Sequence, residues 1–337
     1  MIKTAEAVSL GHPDKTADYI SSYILDRFLE QDSNVRYAVE VLVKNNTVVL
    51  GGEISSTYIP SSFTNYVKEA LREIGYDENY ARRWQDKAID IRQLEVINLL
   101  SMQSAEIAQG IADDGWGDQG LFVGYACQSE EKISHELYLA RKLNSALYNK
   151  ARQSTNLGLD IKTQVTLDDD KIAMVIVAIP MLEPEDLSSF IIQTLEQKPQ
   201  QLIINGTGKY VLHSSVADCG ITGRKLACDF YAASAPIGGG SPWTKDATKA
   251  DLTLNLYARH LAVENLGNND EVWVYLSSCI GQACLPSAVL KWRRGDTYGQ
   301  YNLALKNVPP SILIKKFGLN KPIYAQMCRD GLYKKMT

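Results

Sequence analysis

Val35-Arg36-Tyr37-Ala38-Val39-Glu40-Val41-Leu42-Val43-Lys44-Asn45-Asn46-Thr47-Val48-Val49-Leu50-Gly51-Gly52-Glu53-Ile54 reads as two β-rich runs around an Asn-Asn turn. That is a hairpin signal. Upstream, residues 13 to 31 set Ala17, Ile20, Ile24, Leu25, Phe28 and Leu29 on one stripe at helical spacing. Downstream, Pro60 opens a helix carrying Phe63, Val67, Ala70, Leu71 and Ile74. The order is helix, hairpin, helix.

The same order returns twice. Residues 132–152 read as a helix, 163–179 as a hairpin turning at Asp168 to Asp170, and 183–197 as a helix with acidic residues in its first turn. A third round runs from a helix at about 248–265 through strands at 271–281 and 287–292 to a short helix at 311–318. The expected fold class is α+β: three similar helix–hairpin–helix units in pseudo-threefold arrangement, with sheets covered on one face by helices. The expected units are residues 1–100, 101–212 and 213–337.

Composition narrows the function classes. The chain has 337 residues, 45% hydrophobic and 22% charged, which excludes a disordered or fibrous chain. The formal net charge of −4 gives no bulk attraction to nucleic acid or to a membrane surface, so neither is an expected partner. Any polyanion must be held by local charge. No apolar run reaches the roughly 18 residues of a membrane span, and the N-terminus lacks the apolar core of a secretory signal. The six cysteines include no CxxC pair, and there are four histidines, so a structural zinc site is not expected. Scattered cysteines at apolar positions suit reduced thiols in the cytoplasm.

The chemistry lies in four polar turns. Gly11-His12-Pro13-Asp14-Lys15 precedes the first helix, whose N-terminus favours phosphate. His12 adds a donor or proton-transfer group, Asp14 a hard oxygen ligand for Mg2+, and Lys15 a cation. Gly115-Trp116-Gly117-Asp118-Gln119-Gly120 reads, alone, as a tight turn before a strand. In Asp218-Cys219-Gly220-Ile221-Thr222-Gly223-Arg224-Lys225, adjacent Arg and Lys can clamp phosphate oxygens. In residues 238–251, a triple glycine leads through Ser241, Lys245 and Lys249 to Asp251. If both lysines are helical they share a face. No Walker A loop, Rossmann fingerprint, kinase set or Ser-His-Asp elbow is present. Excess cations with interspersed carboxylates point to a Mg2+-dependent enzyme acting on a nucleoside polyphosphate.

In these motifs the chain resembles the S-adenosylmethionine synthetase (methionine adenosyltransferase) family. GHPDK, GGEI, GDQG, DCGITGRK and GGGxxxxKDxTKxD occur in the family's order and at roughly its spacing. The resemblance implies synthesis of S-adenosylmethionine from ATP and L-methionine, with the triphosphate hydrolysed to pyrophosphate and phosphate. It implies that His12 sits by the departing triphosphate oxygen, and that Arg224, Lys225 and Lys245 hold phosphates, with Ser241 beside them. Asp160, Ile161 and Lys162 match a segment that contacts ATP. Lys209 and Tyr210 match a pair whose ring stacks on adenine. Glu53, Gln103 and Lys249 match the methionine site, and Asp218 touches both substrates. Asp14 and Asp251 match Mg2+ ligands, two ions per site, and Glu40 a K+ ligand. Catalytic roles fall to His12, Lys162, Arg224 and Lys245. The implied assembly is a homodimer or homotetramer with shared active sites, in the cytoplasm.

The chain also departs from the family pattern. Leu10 replaces the acidic residue usual before GHPDK, and Ile237 stands where a histidine commonly precedes the glycines. Ser241-Pro242-Trp243-Thr244 makes a stiffer, bulkier loop. Lys209 replaces Arg, and His213-Ser214-Ser215 replaces a Gly-Gly-Pro-like stretch. The third unit is trimmed. The altered loop keeps open a different ATP-using enzyme; a non-catalytic binding subunit is a further alternative, against which the retained His12, Lys162, Arg224, Lys245 and Asp251 speak.

Overall fold

The computed structural model describes residues 2–101, 114–169, 171–305 and 307–333. The chain begins with β1 (Ile2–Val8) and α1 (Pro13–Leu29), then the hairpin β2 (Arg36–Lys44) and β3 (Thr47–Ser55). Helices α2 (Phe63–Ile74) and α3 (Glu78–Trp84) lead to β4 (Glu95–Ser101). Next come β5 (Gly120–Cys127), α4 (His135–Gln153), the hairpin β6 (Lys162–Asp168) and β7 (Lys171–Ala178), α5 (Ser188–Leu195) and β8 (Gln201–Ile204). The rest runs α6 (Ser214–Ala217), β9 (Gly220–Ile221), α7 (Leu226–Asp229), α8 (Ala250–Glu264), β10 (Glu271–Ser278), β11 (Ser287–Arg294), β12 (Thr297–Asn302), α9 (Pro310–Phe317) and α10 (Tyr324–Asp330). The fold is mixed α+β. Among the described residues the strands form three four-stranded sheets, ordered β1-β6-β7-β8, β12-β11-β10-β5 and β4-β3-β2-β9.

The sheets cut across the sequence order. β1 pairs with β6, β5 with β10, and β9 with β2, so each sheet takes a strand from a distant part of the chain. The turns at 11–15, 218–225 and 238–251 meet within this framework. At the β5–α8 crossing, Gly124 lies so close that a Cβ there would come within 2.0 Å of the Ala258 carbonyl oxygen.

α1 is the central helix. Pro13 occupies its first turn, and the His12 side chain caps it by accepting the Asp14 N–H at 3.1 Å. It is buried nearly all round, well beyond the expected stripe, because the sheet, α2 and α10 surround it. Its inward polar residues therefore all need partners. Ser21 donates to the Val39 carbonyl at 2.8 Å, and Asp26 caps α10 by accepting the N–H groups of Tyr324 and Ala325.

Several expectations shift. α2 starts at Phe63 rather than Pro60, because the Ser62 hydroxyl caps it by accepting the Asn65 N–H. Glu183, Glu185 and Asp186 precede α5, whose first turn holds no acidic residue. Lys245 and Lys249 are not helical, since α8 begins at Ala250. Lys245 instead forms an isolated bridge to Ala38, and Val39 donates to the Thr244 carbonyl at 2.8 Å. The glycine-rich loop thus closes the edge of β2 that β9 leaves open. No helix among the described residues is long and apolar enough to cross a membrane.

Candidate active site

The site is organised by the first turn of α1. Asp14 is buried there, and its two oxygens reach into the Asp218–Lys225 turn. One accepts the Ile221 N–H at 2.9 Å; the other pairs with the Lys225 ammonium at 2.6 Å. Arg224 Nε lies 3.7 Å from the first oxygen while about half of the side chain faces solvent. Gly220 permits this docking: a Cβ there would sit 2.2 Å from the Pro13 carbonyl oxygen. Burial, then the charges of Lys225 and Lys162, lower the His12 pKa to about 3. The ring is neutral at physiological pH. Its Nδ1 accepts the Asp14 N–H, so the ring proton resides on Nε2.

His12 and Pro13 form one wall of a cavity of about 410 Å³. Asp160, Lys162, Asn205, Gly206, Thr207, Tyr210 and Asp218 complete most of the lining. Asp160 is buried; one carboxylate oxygen accepts the Ser214 N–H at 3.0 Å and the other has no hydrogen-bond partner among the described residues. Burial pushes its pKa up to about 6. Ile161 is fully buried and splices this segment to the residues before α1: Ser9 N–H donates to its carbonyl at 3.0 Å, and its own N–H donates to the Ser9 hydroxyl at 2.9 Å. Lys162 opens β6 with an exposed side chain. Tyr210 lies in a loop, its hydroxyl 3.3 Å from the Asp160 carbonyl oxygen. Lys209 beside it is exposed and outside this lining.

The glycine-rich loop joins from the other side. The Gly240 N–H donates to Asp251 at 2.7 Å, and the Lys245 ammonium pairs with the same carboxylate. Ser241 packs on the Asp218–Lys225 turn, 3.0 Å from where a Cβ of Gly223 would lie. Lys249 pairs with Asp246 at 3.4 Å, and Asp246 also holds the Tyr37 N–H at 2.8 Å. Trp243 is buried and donates its indole N–H to Asp229 at 2.9 Å. The Lys15 ammonium sits 4.6 Å from the Trp243 ring centroid, 2.9 Å from Asp229 and 3.1 Å from Asp18. Burial opposes its charge, but those carboxylates hold the ammonium well above its usual pKa. Lys15 is therefore a buried strut between α1 and the loop.

The place of Glu40 on a strand of the hairpin gives no sign of the glycine turns, but the Thr222 hydroxyl of the Asp218–Lys225 turn donates directly to its carboxylate. Glu53 is half-buried on β3 and stands opposite Ala38, which bridges Lys245. Glu53, Ala38 and Lys245 thus form one row across the sheet. Gln103 lies outside the described residues. Asp118 is exposed and accepts the Gln119 N–H at 2.7 Å, which fits the tight-turn reading of its segment.

Four cations of the site carry internal counter-ions: Lys225 with Asp14, Lys245 with Asp251, Lys249 with Asp246, and Lys15 with Asp229. Sequence reasoning missed Asp229 and Trp243 as partners, and Asn205 as lining, because nothing in their local pattern marks them. Among the described residues no group of three or more His, Cys, Asp or Glu could hold a metal ion. Asp14 and Asp251 are single carboxylates, so a Mg2+ at either would draw most of its oxygen shell from water and phosphate. That donor set fits a cation carried in on a nucleotide.

Comparison with known proteins points the same way. Family models described as the N-terminal, central and C-terminal domains of S-adenosylmethionine synthetase match residues 1–105, 113–214 and 212–337. S-adenosylmethionine synthase 2 of Rhodospirillum rubrum is 31% identical, with 97% of this chain and 90% of that protein covered. The S-adenosylmethionine synthase of Mesoplasma florum is 33% identical, covering 98% and 94%. Among solved structures, an unusual S-adenosylmethionine synthetase from Campylobacter jejuni superposes with a TM-score of 0.86 at 33% identity, covering 98% of this chain and 94% of that one.

Proposed function

Because this chain belongs to the S-adenosylmethionine synthetase family, and so makes S-adenosylmethionine from ATP and L-methionine, we propose that the cavity at the first turn of α1 is where the triphosphate leaves. One observation carries this assignment: His12, Asp160, Lys162, Tyr210 and Asp218, drawn from distant parts of the sequence, line a single cavity at a helix N-terminus. The methionine sulfur attacks C5′ of the ribose and the bond to the triphosphate oxygen breaks. Neutral His12 donates its Nε2 proton as a hydrogen bond to that departing oxygen. Lys162, Arg224, Lys225 and Lys245, with Ser241, hold the phosphates, and their charge counts most as negative charge develops. Tyr210 and the Asp160-Ile161-Lys162 segment frame the base and ribose, with Lys209 at the rim. Glu53, Gln103, Asp218 and Lys249 orient methionine for in-line attack. The triphosphate is then hydrolysed to pyrophosphate and phosphate.

Enzymes of this family use a divalent metal and potassium. Asp14 and Asp251 would hold Mg2+ carried by the nucleotide, which neutralises phosphate charge when bound. Glu40, beside the Thr222 hydroxyl, would hold K+ and so act on the Asp218–Lys225 turn from behind.

The chain is further read as three related units, 1–100, 101–212 and 213–337, working in the cytoplasm; its free cysteines suit that compartment. The active site is read as shared between two copies, with a tetramer as the larger alternative. Register supports this. Glu40 and Glu53 lie on the same face of their sheet as Ile97 and Leu99, which are 39% and 64% exposed on edge strand β4. A Cβ on Gly51 of that face would meet nothing within 4 Å. A second copy laid on this face would cover the apolar pair and enclose the two glutamates. Light scattering coupled to activity should find a dimer or larger at micromolar protein, and a fully active monomer would refute the shared site.

The function itself is tested by incubating the purified chain with ATP, methionine and Mg2+ and reading the sulfonium product by mass spectrometry. Phosphate release that ignores methionine would instead favour another ATP-using enzyme, and no turnover a binding subunit.

A further inference from the structure

His213 stands where the family pattern has a glycine-proline stretch, and its side chain is fully buried. Its Nδ1 lies 2.7 Å from the Val211 carbonyl oxygen. A carbonyl only accepts, so Nδ1 carries the proton and donates. Burial lowers the pKa of the ring to about 4, so it is neutral and Nε2 is bare. That bare nitrogen is 2.5 Å from the Tyr80 hydroxyl, which must donate to it. The Tyr80 oxygen in turn accepts the Leu159 N–H at 3.1 Å. The direction of the chain is fixed from end to end: Leu159 N–H to Tyr80, Tyr80 to His213, and His213 to the Val211 carbonyl.

The two ends of this chain are adjacent to the nucleotide cavity. Leu159 precedes Asp160, and Val211 follows Tyr210; Asp160 and Tyr210 stand on the lining. A third tie leaves from the next residue. Ser214 takes a left-handed backbone, φ 56°, and its N–H holds the Asp160 carboxylate at 3.0 Å. The backbone N–H of His213 is itself anchored to the Lys87 carbonyl at 2.9 Å. The Trp84 ring meets the imidazole edge-on with centroids 4.6 Å apart. Gly158 leaves room for the ring, since a Cβ there would come within 3.1 Å of Nε2.

We propose that His213 is a positioning residue that sets the width of the nucleotide pocket, its two ring nitrogens tying the Leu159–Asp160 wall to the Tyr210–Val211 wall. The proposal rests on the nucleotide reading given above. The device serves ATP and not methionine, because both walls it joins frame the base and ribose. Tyr80, through its hydroxyl alone, belongs to the same device.

The test uses the whole chain with His213→Asn, which keeps a donor near Nδ1 and loses the Nε2 acceptor, and with Tyr80→Phe, the milder change. KM is measured for each substrate, and Mg2+–ATP binding by calorimetry without methionine. Each variant should weaken ATP by about tenfold in KM and Kd, the loss of one buried hydrogen bond with its partner left unpaired. The methionine KM should stay within about twofold. The double variant should be no worse than about twofold beyond the poorer single one, since both break the same link. ATP constants unchanged in a Tyr80→Phe enzyme of wild-type thermal midpoint would overturn the proposal and leave the nucleotide reading standing. A wild-type chain that does not bind ATP would overturn the reading and the proposal together.

Discussion

Lys245→Ala is expected to lower kcat on the order of 10²-fold or more while the methionine KM stays near wild type. Two effects add. The substitution removes a cation from the phosphates, where positive charge matters more in the transition state than in the ground state. It also strips Asp251 of its ammonium partner, leaving the Gly240 N–H as its remaining tie to the loop. Arg224→Ala should act in the same direction but less strongly, because its exposed guanidinium has Lys225 as a neighbouring cation. Steady-state kinetics with each substrate varied separates the cases. Wild-type turnover with only a raised methionine KM, in either variant, would mean the phosphate role is wrongly assigned.

Asp14→Asn is expected to abolish activity or to raise the Mg2+ needed for half-maximal rate by about tenfold or more. The amide oxygen can still accept the Ile221 N–H, so the turn stays docked. The lost charge is what would hold the cation and now balances Lys225. Glu40→Gln should behave differently. It keeps an acceptor for the Thr222 hydroxyl, leaves the Mg2+ requirement intact and removes activation by K+. Titrating MgCl2 at fixed ATP, with and without KCl, reads both. An Asp14→Asn enzyme that titrates like wild type would sink the divalent role. A wild type without K+ activation, or a Glu40→Gln enzyme that keeps it in full, would sink the monovalent one.

The parts of the molecule governed by local rules could be read from sequence. The hairpin around Asn45 and the α2 stripe of Val67, Ala70, Leu71 and Ile74 are periodic, and the structure places them as expected. β1, β4, β8 and β12 were not anticipated. β1 exists by pairing with β6, about 160 residues away, which no local pattern encodes. β4 is an edge strand with most of its residues exposed or half-buried, so it lacks clean alternation. α1 hid its real environment for a related reason: Asp18, Ser21, Ser22 and Asp26 look solvent-facing by composition yet are buried against distant partners.

The site divides along the same line. The glycine turns announced themselves, because special backbone geometry and adjacent cations leave a local mark. Asp14 and Asp251, two of their counter-ions, lie within those same turns, but a third did not show itself. Asp229 receives both Lys15 and Trp243 but sits in a short helical turn with no signal of its own. Lys245 and Lys249 would share a helical face only if both were helical, whereas Lys245 bridges Ala38 and α8 begins after Lys249. The contact of Glu40 with the turns has no local mark, because only the pairing of β9 with β2 brings Thr222 to it.

The cavity at the first turn of α1, with the cations of the neighbouring turns, is expected to drive methionine attack on ATP and then to cleave the triphosphate it releases. The most direct measurement is a single turnover with ATP labelled at the γ-phosphorus, quenched at intervals, with and without methionine. S-adenosylmethionine, pyrophosphate and phosphate should form in equal amounts, the γ label should appear in phosphate, and nothing should form without methionine. Labelled phosphate released at the same rate without methionine, or pyrophosphate and phosphate formed with no sulfonium, would contradict it.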